Sequence, residues 1–99
     1  KNTKNLKNTI AAATTASAAN ELYNTGYSNY SRGRYDQAVE DLTVAYKLDS
    51  TKADAAYYSA KCYVALDQTE NAKKYYQYIV TNFPTSRYIS EATTYVSTH

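Results

Sequence analysis

Residues that carry metal, redox or acid–base chemistry are scarce in this chain. Its 99 residues include one cysteine and one histidine. A single cysteine excludes an internal disulfide framework and a zinc site built from several thiolates. A single histidine leaves almost no material for a catalytic triad, a histidine metal site or a histidine general base. The composition therefore speaks against an enzyme, and we expect neither a cofactor nor a bound metal.

Glycine, proline and long apolar runs are scarce as well. Two glycines and one proline are too few for the tight turns of a β-barrel or β-sandwich. No apolar run approaches the roughly 20 residues that span a bilayer, so we expect no direct membrane insertion. The first residue is a lysine rather than a methionine. We therefore expect a domain of a longer protein, with any anchor or targeting segment lying elsewhere.

Positive charge is concentrated in the first residues of the chain. Residues 1–19 contain three lysines and no acid, whereas the remaining residues contain eight bases and nine acids. The sequence has no basic stripe of the kind that neutralises nucleic-acid phosphates. Nucleic-acid binding is therefore not expected.

Apolar residues recur at intervals of three and four, which is typical of amphipathic helices, and no segment alternates with period two. Gly33 is predicted to end a helix in the left-handed conformation. Residues 1–19 are predicted to be helical in their second half, with a flexible linker as the alternative. The other predicted helices are Asn20–Arg32, Tyr35–Leu48, Lys52–Leu66, Glu70–Asn82 and Arg87–Ser97, and their predicted capping residues are Ser50 or Thr51, Thr69 and Ser86.

The chain is similar to itself at an interval of 34 residues. This shift relates Tyr23 to Tyr57, Gly26 to Ala60, Ala38 to Ala72 and Leu42 to Tyr76, and the breaks at Gly33 and Ser50 to Asp67 and Pro84. A helix–turn–helix unit of this length resembles the tetratricopeptide repeat (TPR). The resemblance implies an all-α, TPR-like solenoid with small residues at the helix crossings.

The expected organisation is two repeats with flanking helices, about five helices in all. Residues 1–18 form an N-terminal helical extension or linker, 19–52 the first repeat, 53–86 the second repeat, and 87–99 a C-terminal capping helix. Two repeats expose apolar surface at their ends. We expect the flanking helices to cover it, and the alternative is self-association through an uncovered end.

A short linker resembles that of one TPR subgroup. Residues 82–88 read Asn-Phe-Pro-Thr-Ser-Arg-Tyr and are followed by Glu91-Ala92. This run is similar to the aromatic-Pro-x-Ser linker of bacterial TPR domains in periplasmic and outer-membrane assembly proteins. The resemblance implies an extracytoplasmic location, periplasmic or at the cell surface, and the alternative is a cytoplasmic location.

Tyrosine is the abundant aromatic residue, with 13 copies against one phenylalanine and no tryptophan. Tyrosine offers a rigid contact surface with a polar tip at a low cost in conformational entropy. In TPR proteins the first helix of each repeat lines the concave surface. The resemblance therefore implies a binding groove formed by Asn20, Tyr23, Tyr27, Tyr30, Asp54, Tyr57, Lys61, Tyr88, Glu91 and Tyr95.

The leading hypothesis is a non-catalytic scaffold that binds a peptide or a partner segment in this groove, within a larger exported or membrane-anchored protein. A self-association module and a cell-surface glycan-binding module are the alternatives. The tyrosines of the groove could also be simple surface cover. Tyr35, Tyr63 and Tyr76 are expected to serve packing, and Cys62 is expected to be a buried, unreactive thiol.

Overall fold

The computed structural model describes the backbone of residues 2–99 and the side chains of residues 17–99. Residues 2–99 form helices, turns and bends but no strand, so the predicted all-α class is confirmed. The five helices are α1 (Asn2–Ser31), α2 (Tyr35–Leu48), α3 (Ala53–Ala65), α4 (Thr69–Asn82) and α5 (Ile89–Thr98).

The first helix is longer than one TPR helix. α1 runs without a break from Asn2 to Ser31. Its backbone therefore passes through residue 18, where the sequence predicted the end of a separate extension or linker. The predicted packing of the extension's side chains as a cap lies outside the described residues.

The helices stack as two hairpins and a final helix. In the first hairpin α1 packs on α2, and in the second hairpin α3 packs on α4. The two hairpins are joined by contacts between α2 and α3, and α5 packs on α4 at the end of the stack. Stacked hairpins of this kind form a solenoid in which each repeat contacts its neighbours. α1, α3 and α5 consequently share one face, and α2 and α4 share the opposite face.

Small residues allow the paired helices to approach closely. A Cβ atom added at Gly26 would lie 2.6 Å from Cγ of Leu42, a separation that nonbonded carbons do not tolerate. Ala38, Ala60 and Ala72 are fully buried. The two pairs of small residues that the 34-residue interval relates, Gly26 with Ala60 and Ala38 with Ala72, are therefore all buried, as expected where paired helices cross.

The core fills the space around these crossings. Leu42 and Tyr76 are among the largest fully buried side chains, and Tyr63 is partly buried against both halves of the core. Cys62 is fully buried, and burial raises the pKa of its thiol to about 12. The thiolate form is therefore negligible near neutral pH, which agrees with the predicted unreactive thiol.

The two helical hairpins close with the same turn. After α1, the Gly33 N–H donates to Tyr30 and the Arg34 N–H to Asn29, with Gly33 at φ +79°. The equivalent residue after α3 is Asp67, which has φ +63°, and the N–H groups of Asp67 and Gln68 make the matching bonds. This turn is a Schellman motif, in which one residue has the left-handed conformation. Glycine adopts that conformation without strain.

Two of the three predicted helix caps, Ser50 or Thr51 and Thr69, were wrong, whereas Ser86 accepts the Tyr88 N–H at 3.3 Å just before α5 begins at Ile89. The residues at the N-cap positions of α3, α4 and α5 are Lys52, Gln68 and Tyr88, and none makes a side-chain capping hydrogen bond. Thr51 instead donates its hydroxyl and N–H to the Asp49 carboxylate in the preceding turn. Side-chain bonds within a turn compete with capping, because the same short polar side chains serve both.

Substituting Gly26 by alanine is expected to destabilise the fold. The added methyl group clashes with Leu42, and overpacking costs about 1–3 kcal/mol, whereas alanine gains only about 1 kcal/mol in helix propensity. Urea denaturation followed by circular dichroism measures the difference. Thr25→Ala, at the exposed neighbouring position, is the control and should leave stability unchanged or slightly raise it. Equal or greater stability for Gly26→Ala would show that the helices do not cross here.

Substituting Asp67 by glycine is expected to raise the free energy of unfolding by about 0.5 kcal/mol, because glycine relieves the cost of a positive φ. The reverse change at the equivalent turn, Gly33→Asp, should lower stability by a similar amount. No atom lies within 4 Å of a Cβ built at Gly33, so this cost comes from the backbone alone. Shifts of the same sign in both variants, measured in the same urea titration, would contradict the shared turn geometry.

Candidate functional site

The tyrosines of α1 form a stripe along the helix. Tyr23 and Tyr30 each lie 6.2 Å from Tyr27, centroid to centroid. Tyr58 of α3 packs beside this stripe, with its ring 5.0 Å from Tyr27 and 5.1 Å from Tyr30. Tyr58 therefore connects the tyrosines of α1 to those of α3.

The array continues from α3 to α5. The Tyr57 ring lies 4.9 Å from Tyr58 and stacks on Tyr88 at 3.9 Å, with the two planes only 8° apart. Tyr76 of α4 packs beside Tyr95 of α5 at 4.7 Å. We call this continuous surface the tyrosine face, and its members are Tyr23, Tyr27, Tyr30, Tyr57, Tyr58, Tyr76, Tyr88 and Tyr95.

Glu91 of α5 is the main acceptor on the tyrosine face. The Tyr57 hydroxyl donates to its Oε1 at 2.8 Å, and the Tyr76 hydroxyl to its Oε2 at 2.7 Å. The Lys61 ammonium lies 3.2 Å from the same Oε2. One carboxylate thus connects α3, α4 and α5, and hydrogen bonds to a charged acceptor are stronger than neutral ones.

These bonds change the acidity of their partners. Partial burial raises the pKa of Glu91, but the hydrogen bonds from Tyr76, Tyr57 and Lys61 outweigh it and hold the pKa below its usual value. Burial and the bond to Glu91 raise the pKa of Tyr57 and of Tyr76 well above the ordinary value. The network is therefore stable with an ionised carboxylate and neutral tyrosines.

Asp54 of α3 is a second acceptor on the same face. It accepts a hydrogen bond from the Tyr88 hydroxyl and lies 4.0 Å from the Arg87 guanidinium. Burial and the bond to Asp54 raise the pKa of Tyr88 to about 12. Each of these two carboxylates accepts a hydrogen bond from a tyrosine that is 34 residues away in the sequence: Asp54 from Tyr88, and Glu91 from Tyr57. α5 thus lies beside α3 as the first helix of a further repeat would.

An open groove lies between α3 and α5. Its volume is about 420 Å³. The predicted residues Lys61, Glu91 and Tyr95 line it together, and the Tyr95 ring is held by stacking on His99 at 3.8 Å. The other lining residues are Val64, Tyr76, Ser90, Thr94, Thr98 and His99. The groove therefore combines aromatic and aliphatic contact surface with an ion pair and hydroxyl groups.

The predicted site residues fall into three groups. Asp54, Tyr57, Lys61, Glu91 and Tyr95 lie together with Tyr88 in the α3–α5 network. Tyr23, Tyr27 and Tyr30 form the adjoining stripe on α1, where Tyr27 is the most open, with 43% of its surface exposed. Asn20 is exposed and forms no side-chain hydrogen bond with any described residue.

The burial of Tyr88 contradicts the sequence-based prediction. This residue was expected to line the groove, but only 8% of its surface is exposed, because its ring is stacked on Tyr57. Tyr88 therefore supports the face from within rather than offering contact surface.

Sequence reasoning missed two contributors. Tyr58 was not selected, although it lies four residues before the buried Cys62 and so on the inner side of α3. Tyr76 was assigned to packing; its ring is buried as expected, but its hydroxyl also bonds Glu91 and it lines the groove. The spacing of Tyr58 from Cys62 was the available signal for the first, and no sequence signal indicated the second.

The described part of the chain shows neither a metal cluster nor a membrane-spanning helix. It contains no group of three or more histidine, cysteine, aspartate or glutamate side chains arranged to hold a metal ion. None of its helices is both long and apolar enough to cross a bilayer.

Comparison with protein families identifies two matches to the tetratricopeptide repeat, at residues 22–50 and 54–86. Together they cover more than half of the chain. Each matched segment contains one hairpin, the C-terminal part of α1 with α2 in the first and α3 with α4 in the second. No curated protein matches the chain. The family resemblance predicted from the 34-residue interval is thus confirmed.

Replacing Glu91 by glutamine is expected to lower stability in a pH-dependent manner. Because the pKa of Glu91 is lowered in the folded state, its ionised form stabilises the protein above the unfolded pKa of about 4.3. This contribution is lost as the pH falls through the folded pKa. The difference in free energy of unfolding between wild type and Glu91→Gln should therefore be constant between about pH 6 and 8 and shrink below about pH 4.

Chemical denaturation at a series of pH values provides the measurement. Glu40→Gln, at an exposed position on α2, is the control. Its difference from wild type should remain near zero throughout. A difference for Glu91→Gln that does not change with pH would mean that its charge contributes nothing to the network.

Proposed function

We propose that this chain, which belongs to the tetratricopeptide repeat family, is a non-catalytic scaffold that binds an extended peptide segment of a partner protein in the groove between α3 and α5. Tetratricopeptide repeats generally mediate protein–protein interactions, and the family is typically non-catalytic. The observation that carries the proposal is the groove of about 420 Å³ on the tyrosine face, in which Lys61, Glu91 and Tyr95 meet.

The lining of the groove suits a peptide. Val64 is exposed and the Tyr95 ring is partly exposed, so both can bury apolar side chains of a ligand. Thr94 and Thr98 lie beside Tyr95 on α5, and their hydroxyls can form hydrogen bonds with the backbone of a ligand. Sites of this composition, apolar with a few polar groups, are typical of ligand-binding grooves.

Several side chains of the groove are also held by hydrogen bonds before a ligand arrives. Glu91 holds Tyr57, Tyr76 and Lys61 through hydrogen bonds. Side chains that are already fixed lose little conformational entropy when they bind, and this favours affinity. The carboxylates therefore act as supports for the contact surface in this proposal.

The outer side of α5 favours a single-chain scaffold over the alternative of self-association. The exposed residues of α5 that do not line this groove, Thr93 and Ser97, are small and polar. A polar outer surface is typical of the terminal helix of a solenoid. Glycan binding and an extracytoplasmic location stay predictions.

Blocking the groove is expected to weaken peptide binding strongly while leaving the fold intact. Thr94 is exposed and lines the groove, so Thr94→Arg fills the groove without removing a core contact. Thr93→Arg is the matched control, because Thr93 is the exposed neighbouring residue and does not line the groove. The probes are peptides selected from a random phage-displayed library against the wild-type protein.

Fluorescence anisotropy gives the dissociation constants. We expect Thr94→Arg to weaken binding by at least about tenfold, a loss of about 1.4 kcal/mol, and Thr93→Arg to change it by less than about twofold. Melting curves check that both variants stay folded. Equal affinity of the two variants, or a library that yields no specific peptide, would contradict the proposal.

A further inference from the structure

A second groove lies on the opposite face, between α2 and α4. Its volume is about 260 Å³. α2 contributes Tyr46 and Lys47, and α4 contributes Lys74, Tyr75 and Tyr78. These residues are separate from the tyrosine face, so this site does not depend on the proposed function.

The rings of this groove are locked against one another. Tyr46 stacks on Tyr78 at 5.5 Å, and Tyr75 meets Tyr78 edge-on at 5.1 Å. Only 8% of Tyr46 and 6% of Tyr75 is exposed, so their ring faces are used in packing. The groove consequently presents ring edges and hydroxyl groups to solvent rather than open aromatic faces.

The groove contains hydrogen-bond donors without protein acceptors. Among the described side chains, the hydroxyls of Tyr75 and Tyr78 bond to no protein group, and no buried polar atom there lacks a partner. Both hydroxyls are therefore open to solvent. Lys47 and Lys74 are exposed and form no ion pair with a described carboxylate, and no acidic side chain lines the groove.

The two faces thus differ in charge and hydrogen bonding. On the tyrosine face, Glu91 and Asp54 accept the hydroxyls of Tyr57, Tyr76 and Tyr88. In the groove between α2 and α4, the hydroxyls of Tyr75 and Tyr78 and the ammonium groups of Lys47 and Lys74 have no such acceptor among the described side chains. The carboxylates of an acidic ligand would supply these missing acceptors. They would form charge-assisted hydrogen bonds with the hydroxyls and ammonium groups, as Glu91 and Asp54 do on the tyrosine face.

We propose that the groove between α2 and α4 binds the carboxylate side chains of an acidic peptide segment of a partner protein. Lys47 and Lys74 provide the positive charge, and the hydroxyls of Tyr75 and Tyr78 donate hydrogen bonds to the carboxylate oxygens. A peptide is favoured over a sugar because sugar rings stack on open aromatic faces, and those faces are occupied here.

An NMR titration of the isotope-labelled chain with a hexaglutamate peptide tests the site. Hexaglutamine, inorganic polyphosphate and an oligogalacturonate are the comparison ligands. We expect hexaglutamate to shift the amide signals around Lys47 and Lys74 and to bind more tightly than the other three. Shifts confined to the tyrosine face, or tighter binding of the phosphate or sugar polymer, would overturn the proposal.

Charge reversal locates the binding site. Lys47→Glu combined with Lys74→Glu should weaken hexaglutamate binding by at least about tenfold. Arg32→Glu combined with Arg34→Glu makes the same change in net charge at the opposite end of α2, where both residues are exposed, and should weaken it by less than about threefold. An equal loss in both double variants would show that net charge alone attracts the peptide.

Two more variants separate this site from its alternatives. Tyr78→Phe keeps the ring and removes one donor, so it should weaken binding about threefold without changing the melting temperature. Thr94→Arg, which blocks the groove on the tyrosine face, should leave hexaglutamate binding unchanged. Loss of binding in Thr94→Arg would place the acidic peptide on the tyrosine face and overturn the proposal.

Discussion

The close approach of paired helices is the constraint on which the remaining structure depends. At Gly26 the second helix lies so near that a methyl group would overlap Leu42, and the equivalent crossings use buried alanines at Ala38, Ala60 and Ala72. Helices this close leave little room for large side chains between them. The bulky tyrosines therefore lie beside the crossings, where they fill the spaces between neighbouring hairpins and cover both faces of the stack.

The two faces use the same residue type in different chemical settings. On the side of α1, α3 and α5, the 34-residue interval brings Asp54 to Tyr88 and Tyr57 to Glu91, so the carboxylates fix the tyrosine hydroxyls. On the side of α2 and α4, rings such as Tyr46 and Tyr78 pack on each other and no carboxylate lines the groove. The hydroxyl donors of one face are therefore paired within the chain, while the other face has donors to offer a ligand.

Much of the fold could be predicted from the sequence because its signals are local or periodic. Helical spacing, the 34-residue interval and Gly33 indicated the hairpins, the crossings and one of the turns. The site was less predictable, since its geometry depends on contacts between separate helices. Tyr88 was predicted as groove surface but is buried under Tyr57, and the carboxylate of Glu91 collects partners from three helices. Neither arrangement can be derived from spacing along a single helix.

The most direct test of the account is a solution structure of the domain bound to a peptide selected by the wild-type protein. Such a structure shows directly whether the groove between α3 and α5 receives the partner. Intermolecular nuclear Overhauser effects are predicted from the peptide to the methyl groups of Val64 and Thr94 and to the ring of Tyr95, which together line that groove. Effects found only at α2 and α4, for example at Tyr78, would contradict the proposal and place partner recognition on the opposite face.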